Sequence, residues 1–162
     1  MFFGSHTSVL RDNIEGNRLI EKPDYIQGII DSIEFQRLRM IRQMGLASFV
    51  FPTAEHSRFV HSLGVFGNAL TVYEHLAGRA KDHNLVVPGL RFDDFSAIDF
   101  CIAALCHDLG HTAFSHVLEG NFLPNGCNTH EECTIQLLSG DSMIAGALDT
   151  ASDKEAVISL ME

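Results

Sequence analysis

A chain of 162 residues is long enough for one domain with a real core, and its 46% apolar and 20% charged content is that of an ordinary globular protein. It contains no run of about 18 uncharged apolar residues, which argues against a transmembrane helix, and the N-terminus lacks the basic and apolar segments of a secretory signal. The net charge of −10 is unevenly placed: residues 1–58 hold seven Lys/Arg and seven Asp/Glu, residues 59–162 four and fourteen. That excess favours metal binding and argues against a broad nucleic-acid surface, which needs a basic face. The four cysteines, Cys101, Cys106, Cys127 and Cys133, show no CxxC spacing. They read as reduced core residues of a cytosolic protein.

Residues 1–30 are weakly patterned, with a turn-rich stretch at Arg11–Asn17 that reads as a hairpin or a loop. Asp31-Ser32-Ile33-Glu34 reads as a capping box opening a helix to Met44, with Phe35, Leu38, Ile41 and Met44 on one face and Gly45 at its end. Ser48–Pro52 is a short extended connection. A long helix is expected from about Glu55 to Ala80, with Phe59, Leu63, Phe66, Leu70, Tyr73 and Ala77 as its core stripe. Gly64 and Gly67, on another side, admit a close neighbour. A polar loop follows over about 81–92. Asp94 is the expected N-cap of a helix to about Asp108, apolar nearly all round and so central and buried. A short helix is expected from about Ala113 to Asn121, then a loop at Pro124-Asn125-Gly126. Thr129–Glu132 is a second capping box, opening a helix to Leu138 that stops at Gly140, and Ser152–Glu155 is a third. Helix predominates, and the strand candidates are short and near the N-terminus. The expected class is a single all-α domain over 1–162.

The chemistry concentrates in His107-Asp108-Leu109-Gly110-His111-Thr112-Ala113-Phe114-Ser115-His116, three histidines and an aspartate after an apolar run. Imidazole and carboxylate are the usual holders of a divalent metal. Adjacent residues at a helix end diverge by about 100° but can converge on an ion beyond the terminus. His61 lies off the core stripe of its helix, on the glycine side, where it can meet that end. His111 and His116 suit phosphate binding and proton transfer. His130-Glu131 sits at a helix start, where anions are favoured.

Four blocks in order carry a resemblance: Ile33–Gly45, Val50–Val65, His107–His116 and Thr129–Glu132. Over roughly residues 10–140 the chain resembles the HD-domain metal-dependent phosphohydrolases, in their branch of deoxynucleoside triphosphate triphosphohydrolases. The resemblance implies an HD helical bundle and a nucleotide substrate. It implies His61, His107 and Asp108 as metal ligands, and His111 and His130 as the histidines acting on the phosphates, with Glu131 orienting His130. It implies Arg58 and His116 on the triphosphate and Gln43 on the sugar. The metal, with its mixed N/O ligands, would be Mn²⁺, Fe²⁺, Ni²⁺ or Mg²⁺.

Two departures stand out. Asp12-Asn13-Ile14-Glu15-Gly16 replaces the branch's Asp-Pro-Ile-His-Gly. The family's fourth metal ligand, an aspartate on a later helix, has no counterpart in a matching motif before Glu162. The expected fold is therefore an HD bundle incomplete at its C-terminus, whose exposed apolar surface homo-oligomerisation could cover. The expected function is metal-dependent hydrolysis of a deoxynucleoside triphosphate. The alternative is a non-catalytic nucleotide- or metal-binding module lacking the fourth ligand. An HD nuclease fits the acidic balance poorly.

Overall fold

The computed structural model describes residues 7–12, 18–83, 97–120 and 122–161. The chain opens with an antiparallel hairpin of β1 (Thr7–Asp12) and β2 (Arg18–Pro23), in register from Thr7 opposite Pro23 to Asp12 opposite Arg18. Among the described residues, the longer elements after it are helices. The helices are α1 (Ile26–Asp31), α2 (Ile33–Gln36), α3 (Arg58–His83), α4 (Ala97–Cys106), α5 (His130–Ser139), α6 (Met143–Ala151) and α7 (Lys154–Ser159). The expected all-α class holds, with the hairpin as its one sheet among the described residues. None of the described helices is long and apolar enough to cross a membrane.

The α3–α4 pair is the axis of the bundle. α1 packs on α6, α7 packs on α4, and α5 packs on α6 and α7. Phe35, Leu38, Phe66, Ile102, Leu105, Leu109, Leu138, Ile144 and Leu148 are fully buried between them. Each such side chain contributes roughly 1.5–3 kcal/mol of apolar burial. All four cysteines are buried free thiols. Burial pushes Cys101 and Cys106 up to about 12, so they behave as small apolar core residues.

The helix expected over 31–44 is broken at both ends. Its N-cap is Ser32, not Asp31. The Ser32 hydroxyl accepts from Phe35 N at 3.3 Å and donates to Ile29 O at 2.7 Å, so one side chain closes α1 and opens α2. Glu34 does not complete a box. Its carboxylate accepts instead from Met143 N at 3.1 Å and caps α6. After α2 the helix tightens to a 3₁₀ turn, Arg37–Met40, and Ile41 is extended. The reason is tertiary. Arg58 N donates to Ile41 O at 2.8 Å and Gln43 N to His56 O at 3.0 Å, making a bridge of Arg42 with Ser57. Two long-range bonds replace the helical ones, so Ile41 stays in the core while Met44 turns out to solvent. Gly45, at φ +50°, begins a second 3₁₀ turn through Phe49, which takes in the first two residues of the extended connection expected at Ser48–Pro52.

Smaller differences follow the same logic. α3 starts at Arg58, three residues after the expected Glu55. α4 ends at Cys106, and His107–Gly110 form a turn. The expected start at Asp94 lies outside the described residues, as does most of the 81–92 loop. The expected helix at Ala113–Asn121 is a 3₁₀ turn, Ser115–Leu118, with Ser115 at φ +52°. α5 is as expected, capped by Thr129, although the Glu132 carboxylate reaches Asn128 N rather than Thr129 N. α6 was not expected: its N-cap Ser142 lacks the paired glutamate of a box, yet accepts from Ala145 N. Asp153, not Ser152, caps α7.

Candidate functional site

The apolar α4 ends against the start of α3, and the turn after it carries Asp108 into a buried position, 5% exposed. Arg58, the first residue of α3, is 3% exposed and donates Nη1 to Asp108 Oδ2 at 2.6 Å. Its Nη2 donates to Ser115 Oγ at 2.7 Å. Gln43 Nε2 reaches the same Oδ2 at 3.4 Å. His61, one turn into α3, places Nε2 3.7 Å from Oδ2, and His107 places Nε2 3.3 Å from Oδ1. The His61 and His107 rings lie edge to face at 5.3 Å. Burial alone would raise the Asp108 carboxyl, but His107, Arg58, His111 and His61 together hold it below its usual range. Burial pushes His61 down, against the pull of Asp108.

These side chains suit a divalent cation. The ligand atoms of His61, His107 and Asp108 lie within 4.8 Å of one another. His107 Nδ1 is 2.8 Å from Ala104 O. A carbonyl only accepts, so Nδ1 carries the hydrogen and the bare Nε2 faces Asp108, the arrangement of a metal-ligating histidine with an oriented ring. Three protein donors leave positions for water or substrate. The shortest competing contact is Arg58, which shares Oδ2 with Gln43.

A second group lies beside this one. His111 is buried, with Nε2 3.4 Å from Asp108 Oδ1, and stacks on His130 at 3.7 Å and 13° between planes. His116 stands edge-on to both, at 4.9 Å and 5.1 Å. Glu119 Oε1 accepts from the Nδ1 of His116 and of His130, each at 2.7 Å. Glu131 Oε1 lies 3.2 Å from His130 Nε2. Burial, with Arg58 and His130 nearby, pushes His111 down to about 4, so it is neutral at neutral pH. Burial would raise the Glu119 carboxyl, but hydrogen bonds from His130 and His116 hold it low.

The turn joining the groups is held from outside. Arg37 donates to the carbonyls of His111 and Leu109, and Gly110 N donates to Thr134 Oγ1 at 2.8 Å. A Cβ at Gly110 would overlap the His130 carbonyl and stand 2.7 Å from Thr134 N, so only glycine lets α5 approach this closely.

Gln43, Arg58, His61, His107, Asp108, His111, His116 and His130 line one cleft of about 610 Å³. Eight of the nine expected residues therefore meet in one place. Glu131 does not line it. Its side chain is half exposed and lies near the far nitrogen of His130. Glu119 was not anticipated, although it caps the 3₁₀ turn three residues after His116. Ser115 and Arg37 were also missed as site residues. Arg37 falls off the expected apolar face of its helix, and nothing in its sequence neighbourhood signals this contact.

No family model matches the chain. Curated relatives do. It is 42% identical over 137 residues to the deoxynucleoside triphosphate triphosphohydrolase SAMHD1 homolog of Dictyostelium discoideum, a match covering 82% of this chain and 25% of that protein. It is 42% identical over 116 residues to deoxynucleoside triphosphate triphosphohydrolase SAMHD1 of Homo sapiens, covering 72% of this chain and 17% of that one. An HD domain-containing protein of Acanthamoeba polyphaga mimivirus is 39% identical over 119 residues, 67% of this chain and 26% of its own. The chain thus spans about a quarter or less of the length of these relatives. By this match over most of its own residues, the chain belongs with the HD-domain proteins of the deoxynucleoside triphosphate triphosphohydrolase branch.

Proposed function

We propose that this chain carries the catalytic cleft of a metal-dependent phosphohydrolase whose substrate is a deoxynucleoside triphosphate. The observation that carries the reading is the meeting, in one cleft, of a His61–His107–Asp108 donor set, a buried arginine and three contacting imidazoles. His61, His107 and Asp108 would hold an ion of the Mn²⁺, Fe²⁺, Ni²⁺ or Mg²⁺ class. A divalent ion bound there polarises a phosphoryl oxygen and acidifies a water. Arg58 meets phosphate charge from a buried position, where a guanidinium acts strongly. Gln43, which shares Asp108 Oδ2 with Arg58, presents an amide to the sugar. His116, the most exposed of the imidazoles, reaches the phosphates nearest the mouth.

Neutral His111 is placed to accept a proton. His130, anchored through Nδ1 by Glu119, is placed to move one, with Glu131 steadying its other nitrogen. The reduced, buried cysteines fit a cytosolic location.

A second reading draws on the 2.6 Å contact of Arg58 with Asp108. With that oxygen taken and three donors in the set, the chain would bind nucleotide without turning it over. The test is incubation of the full chain with Mn²⁺ and a panel of deoxynucleoside and ribonucleoside triphosphates, read by chromatography for triphosphate and nucleoside and by calorimetry for binding. Release of triphosphate from deoxynucleotides, lost in His107→Ala, supports the first reading. Binding without product supports the second, and neither binding nor product overturns both.

A further inference from the structure

We propose that Cys127 and Cys133 are a peroxide-sensitive dithiol, which closes into an intrachain disulfide across the start of α5. The four cysteines are of two kinds. Cys101 and Cys106 lie on α4, within the apolar core cluster. Cys127 and Cys133 are each 5% exposed, yet both stand outside that cluster. They line a separate cavity of about 650 Å³, open to solvent, with Arg37, Gly110, Pro124 and Gln136 among its walls. A cavity of that size admits a small oxidant to the two thiols.

The sulfurs are neighbours. Cys127 ends the 3₁₀ turn Pro124–Gly126, and Cys133 is the fourth residue of α5. The Cys133 thiol is hydrogen-bonded to Cys127, and its Sγ lies 4.0 Å from the Pro124 carbonyl of the same turn. Burial and the hydrogen bond to Cys127 push the Cys133 thiol up to about 12, against the pull of Arg37. Cys133 therefore keeps its proton, and Cys127 is the sulfur that attacks first. As thiolate, Cys127 attacks one oxygen of hydrogen peroxide. The O–O bond breaks, the leaving hydroxide takes up the proton that Cys127 released, and Cys127 becomes a sulfenic acid. The Cys133 sulfur then attacks the Cys127 sulfur. The S–S bond forms, the S–O bond breaks, and the Cys133 proton leaves with the hydroxyl as water. Two thiols and one peroxide give one disulfide and two waters, the thiols supplying two electrons.

Closure moves backbone that carries the cleft. Disulfide sulfurs stand about 2.05 Å apart, closer than hydrogen-bonded thiols, so the start of α5 must draw towards the turn before it. His130 lies midway between the two cysteines in sequence. The Cys133 Cβ packs 2.8 Å from where a Cβ on Gly110 would stand, beside the turn that carries His111. Oxidation is therefore felt at both imidazoles, whether or not the cleft turns nucleotide over.

The test treats the full chain, reduced and then freed of reductant, with hydrogen peroxide in native buffer. Thiols are counted after quenching and denaturation, and the link is located by mass spectrometry of unreduced peptides. Four thiols are expected before treatment and two after, with the link at Cys127–Cys133 and all four recovered by dithiothreitol. In Cys133→Ser the reaction should stop one step early, leaving a Cys127 sulfenic acid that dimedone traps. Cys127→Ser should give neither label nor link. The His111 and His130 ring resonances of the native chain should shift on oxidation and return on reduction. Four thiols after treatment would overturn the proposal, as would links through Cys101 or Cys106 or between chains. Ring resonances unmoved by the disulfide would overturn its coupling to the cleft. Should both serine variants fail to fold, the link in the native chain decides without them.

Discussion

The two halves of the cleft are held in opposite ways. Around Asp108 the side-chain hydrogen bonds are buried or part-buried and span long stretches of sequence. Arg58 and Asp108 lie 50 residues apart, Gln43 and Asp108 65 apart. Around Glu119 they are short or partly exposed: His116 is three residues away and His130 eleven. The first half is positioned by the packing of α3 on α4 and cannot change without the core. The second is positioned by one 3₁₀ turn and one helix start. Charge is therefore costly to disturb in the first half and cheap in the second.

Four outcomes would break or sharpen that contrast, taken from the largest effect on stability down. Arg58→Ala leaves the buried Asp108 without its only arginine partner among the described residues, and should cost about 3–5 kcal/mol in urea unfolding. A loss under about 1 kcal/mol would mean that Asp108 is wetter than its burial indicates. Gly110→Ala forces a Cβ into the backbone of α5. It should cost about 1–3 kcal/mol, the range for overpacking, and shift the His111 and His130 resonances together.

Acid is the third probe. His111 has a folded value of about 4 against 6.5 unfolded, so the unfolded chain binds the extra proton between them. Stability present above about pH 6.5 should fall as pH drops towards 4, by on the order of 2 kcal/mol. Asp108, also held below its unfolded value, adds a further loss at still lower pH. Urea melts of the native chain and His111→Gln, from neutral pH to about 4.5, would show the slope and its disappearance. Last, Glu119→Gln should leave stability within about 0.5 kcal/mol, yet reduce turnover by about 10²-fold if His130 moves a proton. Equal losses of stability in Glu119→Gln and Arg58→Ala would abolish the contrast.

Much of this was legible in order along the chain. The apolar run before His107 announced a buried helix, and α4 is buried. The spacing of Phe59 and Phe66 announced a core stripe, and both are in it. Thr129 capped the helix expected of it. Local rules failed where a distant partner outbid a near one. Glu34 caps α6 rather than its own helix. Ile41 bonds Arg58 rather than the next helical turn. Met44, on the expected apolar face, is half exposed because that helix had already ended.

By itself, then, the sequence determined the helical class, the buried character of α4 and the donor types. Periodicity, capping and side-chain chemistry are properties of neighbours in the chain. Only the tertiary structure decided that Arg58 closes on Asp108, that His111 stacks on His130, and that Glu119 joins two imidazoles. Those pairings depend on where α3, α4 and α5 come to rest against one another, and the close approach at Gly110 sets one of those distances.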